Sequence, residues 1–126
     1  MSARVYAFGF TAEEEKRINT RFSEMGIPEI VRIDKRQGSV KLRDIIEKGT
    51  SGEGEMELDE HIVLFNEVSE RGVYALMQEI KSLDVPKPIF AVVTENSIEW
   101  TFEDLASHLL QEKRAFEKGK PDPDGS

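Results

Sequence analysis

Short apolar runs take turns along the chain with stretches whose apolar positions recur at spacings of three and four, and this pattern lays out four strands, each followed by a helix. Val5 to Phe8 is a short apolar run stopped by Gly9. Thr11-Ala-Glu-Glu then has the spacing of a capping box, in which Thr11 and Glu14 satisfy free amides at a helix start. In that first helix Ile18, Phe22 and Met25 recur at spacings of four and three, so one stripe faces a core, and Gly26-Ile27-Pro28 ends it. A second strand is expected over Glu29 to Ile33, interrupted by Arg32 as suits a sheet edge. After a polar loop from Asp34 to Ser39, the residues Val40, Leu42, Ile45 and Ile46 make a modest amphipathic helix ending near Gly49. His61 to Phe65 reads as the third strand, ended by Asn66-Glu67. Ser69 then caps a helix with Val73, Leu76, Met77 and Ile80 on one face and Leu83 at its end, and Val85-Pro86-Lys87-Pro88 breaks it. The fourth strand is Ile89 to Val93. Thr101 opens the last helix, whose Phe102, Leu105, Ala106, Leu109 and Leu110 form the cleanest stripe in the chain. No internal repeat stands out.

This alternation predicts an α/β fold: a four-stranded, mainly parallel (βα)4 sheet in three layers, flavodoxin- or receiver-like, with strand order 2-1-3-4. Helices one and four would cover one face, two and three the other. Strands one, three and four lack polar alternation, as strands buried on both faces do. A ligand crevice is then expected at the carboxyl ends of strands one and three. Gly9, Phe10 and Thr11 would line it on one side and Asn66 and Glu67 on the other, with Thr94 and Asn96 on the same rim. Strand four would be a fully apolar edge, which soluble monomers avoid, so it is expected to be covered by a partner subunit or by another strand order.

Composition narrows the function classes. At 126 residues, 38% hydrophobic and 33% charged, the chain reads as one α/β domain over 1–117 with a disordered tail over 118–126. Residues 50–60 carry five acids and no base, which reads as a mobile acidic loop. A net charge of -8 argues against a nucleic-acid partner. With no cysteine there is no thiolate nucleophile and no Cys-type zinc site, and His61 and His108 have no second ligand at metal spacing, so no metal or cofactor is expected. The lack of a long apolar segment argues against a membrane partner and fits a cytoplasmic protein. Hydrolase elbows and dinucleotide glycine fingerprints are missing. A phosphorelay receiver would need acids after strand one and a phosphoacceptor aspartate after strand three, where this chain has Gly9-Phe10 and Asn66.

The block Ala91-Val-Val-Thr-Glu-Asn-Ser-Ile-Glu-Trp-Thr-Phe-Glu-Asp-Leu resembles a family of small bacterial domains of unknown function, with a signature Val-Val-Thr-x-x-Asn-x-x-Trp-Thr before a Leu-rich helix. Tyr6-Ala-Phe-Gly-Phe and His61-Ile-Val-Leu-Phe are similar to its first and third strands, so the likeness spans Val5 to about Glu112; the acidic loop has no counterpart. The resemblance implies a fold and a bacterial-type origin, and no activity.

Much of that block is explained by helix-start chemistry. With Thr101 as N-cap, Trp100 and Leu105 stand at the positions of a hydrophobic staple, and Thr94 and Asn96 are ordinary turn residues. Phe10 has no such explanation, since its staple partner would be Glu15. The reading that follows is a non-enzymatic regulatory or protein-interaction module, self-associating as a homodimer, with Phe10, Asn66, Thr94, Asn96 and Trp100 as its contact rim. The alternative is a small-molecule binder or enzyme whose strand-one crevice takes an anionic ligand through Lys35 and Arg36, which sit among Arg32, Lys41 and Arg43 beside Gly38.

Overall fold

The computed structural model describes residues 3–119. The elements are β1 (Arg4–Phe8), α1 (Ala12–Glu24), β2 (Val31–Ile33), α2 (Leu42–Lys48), β3 (Ile62–Asn66), α3 (Glu70–Ser82), β4 (Ile89–Val92) and α4 (Phe102–Gly119). Short 3₁₀ turns at Lys35–Gln37 and Ser97–Glu99 precede α2 and α4. The local signals act as the sequence predicts: Thr11 and Glu14 form the capping box, Ser69 caps α3, and Gly49 closes α2 in the left-handed region. Several elements are shifted: β1 starts one residue earlier, at Arg4, and β4 ends one earlier, at Val92. β2 starts at Val31, not Glu29; α2 starts at Leu42, not Ser39; and β3 runs one residue later, taking in Asn66. α4 continues through Gly119, and the rest of the expected tail, 120–126, lies outside the described residues.

The sheet order is β2-β1-β3-β4, as expected, but the sheet is mixed and not mainly parallel. β1 pairs with β2 and β3 with β4 in parallel, whereas β1 and β3 are antiparallel with Tyr6 opposite Leu64. The cause lies between α2 and β3. A simple crossover would deliver β3 parallel to β1, yet here residues 49–61 double back. Gly52 N donates to Arg36 O at 3.0 Å and Met56 N to Lys35 O at 3.0 Å, so the segment retraces the turn after β2 and β3 leaves in the opposite direction. This acidic stretch has no regular secondary structure; its two large apolar side chains, buried Met56 and half-buried Leu58, attach it to the core.

The helix layers differ from expectation for the same reason. α1 and α3 cover the face that carries Val5, Ala7, Val63 and Phe65, while α2 and α4 cover the face with Tyr6, Phe8, Ile62 and Leu64. Reversing β3 rotates the whole second half by a half-turn, so helices expected on opposite faces share one. The result is a pseudo-two-fold axis normal to the sheet, passing between Tyr6 and Leu64. A constant offset of 58 residues carries β1 onto β3 (Arg4 to Ile62), Thr11 onto Ser69, α1 onto α3 (Ala12 to Glu70) and β2 onto the start of β4 (Val31 to Ile89). Gly9 and Glu67, equivalent under this offset, both have positive φ. On the other face the axis is marked by reciprocal bonds between the starts of α2 and α4: Leu42 N to Trp100 O at 2.8 Å and Phe102 N to Val40 O at 3.0 Å.

Candidate functional site

Because β1 and β3 run oppositely, their carboxyl ends lie at opposite ends of the sheet, and the expected crevice between them does not form. Gly9, Phe10, Thr11 and Lys35 gather at one end; Asn66 is the last residue of β3 and Thr94 and Asn96 follow β4, both strands finishing at the other end.

At the β1 end, a cavity of about 430 Å³ is lined by Gly9, Phe10, Arg32, Lys35, Asp59 and His61 among others. Gly9 is required there. Its φ of +95° is disfavoured for any L side chain, and a Cβ would sit 2.4 Å from the Glu60 carbonyl oxygen. Phe10 is buried, its ring tilted against His61 at 5.1 Å between centroids, so it is a packed loop residue and not a free rim. Thr11 is consumed by the capping box, its hydroxyl accepting from Glu14 N at 3.2 Å. Arg32 is held by both carboxylate oxygens of buried Glu15, Nε to Oε2 at 2.8 Å and Nη2 to Oε1 at 2.6 Å, and these bonds raise the guanidinium pKa further. Lys35 is thus the cation left to meet a ligand, against Asp34, Asp59 and Glu60 on the same walls, and Arg36 does not line the cavity. That balance does not favour an anion.

The Thr94 to Thr101 block is a joint. Thr94 N donates to Ser97 Oγ at 2.9 Å and Ser97 N returns to Thr94 Oγ1 at 3.1 Å, closing a turn around buried Ser97. Asn96 is exposed and its side chain makes no cap bond. Half-buried Trp100 packs on the α2/α4 core and tilts against His108, 5.2 Å between centroids. Thr101 Oγ1 caps α4 by accepting from Asp104 N. Glu99 in the turn before α4 accepts from Arg43 of α2, and that hydrogen bond holds its carboxyl below the ordinary range. Sequence reasoning missed this pair because nothing local links residues 56 positions apart.

At the opposite end of β1, Arg4, Tyr6, Val31, Ile45, Ile46 and Asn66 surround a cavity of about 370 Å³. Burial pushes the Tyr6 phenol above its ordinary pKa, and the Arg4 charge works against that. The folded chain therefore keeps a proton that the unfolded chain loses near pH 10, and stability falls as pH rises through that value. Thermal unfolding followed from about pH 9 to about pH 11 should show a steeper loss of midpoint in the native chain than in Tyr6→Phe.

The two sheet edges are treated differently. β2 is three residues long and carries the charged Arg32 at its centre. β4 has no charged residue; Val92 is 47% exposed and Phe90 half-buried. Ile89 N and Val93 N donate back towards β3, at 2.8 and 2.9 Å, so by alternation the amides and carbonyls of Phe90 and Val92 point outward. Pro88 and Thr94, whose amide is already bonded to Ser97, bracket this open stretch.

Among the described residues no cluster of three His, Cys, Asp or Glu is placed to hold a metal, and no helix is long and apolar enough to cross a membrane. A family described as "Domain of unknown function (DUF3783)" matches residues 61–116, just under half of the chain. The matched segment coincides with the second unit, β3 to α4, of the pseudo-symmetric pair. Val92, Val93, Thr94, Trp100 and Thr101 stand at the positions of the Val-Val-Thr-x-x-Asn-x-x-Trp-Thr pattern, but Asn96 falls one residue earlier than its asparagine. No curated protein and no solved structure matches the chain.

Proposed function

We propose that this chain is a non-enzymatic protein-interaction module that self-associates through the open edge of β4, pairing with β4 of a second copy. The observation that carries the reading is an apolar edge strand with outward backbone groups and no charged residue of its own, Lys81 of α3 lying over the Phe90 ring at 6.0 Å. A second copy fits because the chain already contains the required arrangement. Across β1 and β3 two units pair antiparallel with their helices side by side, and Arg21 of α1 meets Glu79 of α3 across that seam. A two-fold at Ala91 would repeat this, with Phe90 bonding Val92 of the other copy. The flanking helices carry charges of opposite sign towards their two ends: α3 begins at Glu70 and has Lys81 in its last turn, and α4 begins with Glu103 and Asp104 and carries Arg114 further on.

Val92→Pro tests this selectively. The substitution deletes an amide that points away from β3, so the internal ladder survives while the edge loses a donor. Native mass spectrometry and sedimentation at micromolar concentration should give a dimer for the native chain and a folded monomer for Val92→Pro. A monomeric native chain, or a dimer unaffected by the substitution, refutes the reading.

A further inference from the structure

We infer that the cavity bounded by Arg4, Tyr6 and Asn66 is a binding site for a small carboxylate bearing a short branched apolar substituent, independent of the β4 edge. The inference begins with two largely buried polar side chains that have no side-chain hydrogen-bond partner among the described residues. Asn66 is 6% and Tyr6 5% exposed, yet neither the Asn66 amide nor the Tyr6 hydroxyl hydrogen-bonds another described residue. Leaving such groups unpaired costs stability unless something else satisfies them. No buried side-chain nitrogen or oxygen among the described residues is both sealed from solvent and unpartnered, so these atoms must open onto the cavity they line.

The pseudo-two-fold axis supplies a control within the same molecule. The cross-strand pair at this end of the β1–β3 ladder is Arg4 opposite Asn66; its equivalent at the other end is Ile62 opposite Phe8. Ile62 and Phe8 are 1% and 2% exposed and pack in the core, Phe8 against Phe102 at 5.0 Å. Tyr6 likewise corresponds to buried Leu64. On this sheet face one end of the ladder thus pairs two apolar side chains and the other pairs two polar ones, on the same backbone arrangement. The fold does not demand polar residues here.

Chemistry identifies the ligand class. Arg4 and Tyr6 alternate onto one sheet face and Asn66 lies opposite Arg4, so a guanidinium, a hydroxyl and an amide serve a single volume. The guanidinium and the amide nitrogen are donors and the hydroxyl can be one, a set that fits a carboxylate. Arg4 has no ion pair among the described residues. No carboxylate lines the cavity to hold an ammonium, which disfavours amino acids, and Val31, Ile45 and Ile46 form an apolar wall for a branched substituent.

The test is titration with 3-methylbutanoate, followed by calorimetry and by the Asn66 side-chain amide resonance. Saturable binding is expected, weakened about tenfold or more in Arg4→Gln, and also for the neutral 3-methylbutanamide. In Asn66→Leu binding should vanish while the thermal midpoint stays level or rises, because an unpaired buried amide is replaced by an apolar group. No saturable binding at about 10 mM, equal affinity for the amide, or unchanged affinity in Arg4→Gln overturns the site. A drop in the thermal midpoint of Asn66→Leu also overturns it, by showing that the amide serves the fold.

Discussion

Gly9→Ala is expected to lower the free energy of unfolding by about 3 kcal/mol or more, read as a shift in the urea midpoint at unchanged slope. Two costs add. The φ of +95° lies beyond the left-handed well that L residues tolerate, and the new Cβ would stand 2.4 Å from the backbone oxygen of Glu60, which cannot rotate away as a side chain would. Relief requires moving the 59–61 segment, which leads into β3. The equivalent turn of the second unit offers the comparison. Glu67 there has φ of +57°, inside the tolerated well, so Glu67→Gly should leave stability unchanged or raise it by up to about 1 kcal/mol. Equal costs for the two substitutions would show that the close approach to Glu60 is not the cause.

The starts of α1 and α3 and the core stripe they share were legible because they rest on local patterns: Thr11 with Glu14, Ser69 before Glu70, Ile18 with Phe22; the strand order followed from the simplest doubly wound connection of four strands. The direction of β3 was not. Periodicity says that Ile62 to Phe65 is a buried strand and is silent about which way it runs; direction was set by the doubling back of residues 49–61, through backbone bonds from Gly52 and Met56 that leave no mark in composition. That single reversal moved Asn66 to the far end of the sheet from Gly9, dissolved the expected crevice and re-paired the helices. Lys35 and Arg36 stood out as a basic pair, yet geometry hands Arg32 to Glu15 and surrounds Lys35 with acids. Arg4 attracted no attention, being one cation before a strand. Its meaning comes from Asn66 across the ladder.

The internal repeat escaped sequence reading for a related reason. Under the offset of 58, what survives is polarity and backbone conformation: Val5 and Val63, Ile18 and Leu76, Phe22 and Ile80, Pro28 and Pro86 correspond, while most exposed positions do not. Burial constrains only the inner face of each helix and strand, so two units can keep a common fold with little common sequence. The match of a family to residues 61–116 alone accords with the second unit having the clearer pattern.

The signature block makes its largest contribution through Phe102 rather than Trp100. Phe102 is fully buried, meets Phe8 at 5.0 Å, and lies on the pseudo-axis side of α4 where the two units join. Phe102→Ala should destabilise the chain by about 4 kcal/mol, since it deletes a core ring and leaves a cavity between α4 and the sheet. Trp100 is half-buried at the edge of that core, so Trp100→Ala should cost about half as much or less. Both changes leave in place the Phe102 N to Val40 O bond and the Thr101 cap, which isolates the packing contribution. Urea unfolding of the two variants checks the order. A larger loss in Trp100→Ala would mean that the staple at the helix start, and not the ring beneath it, holds the units together.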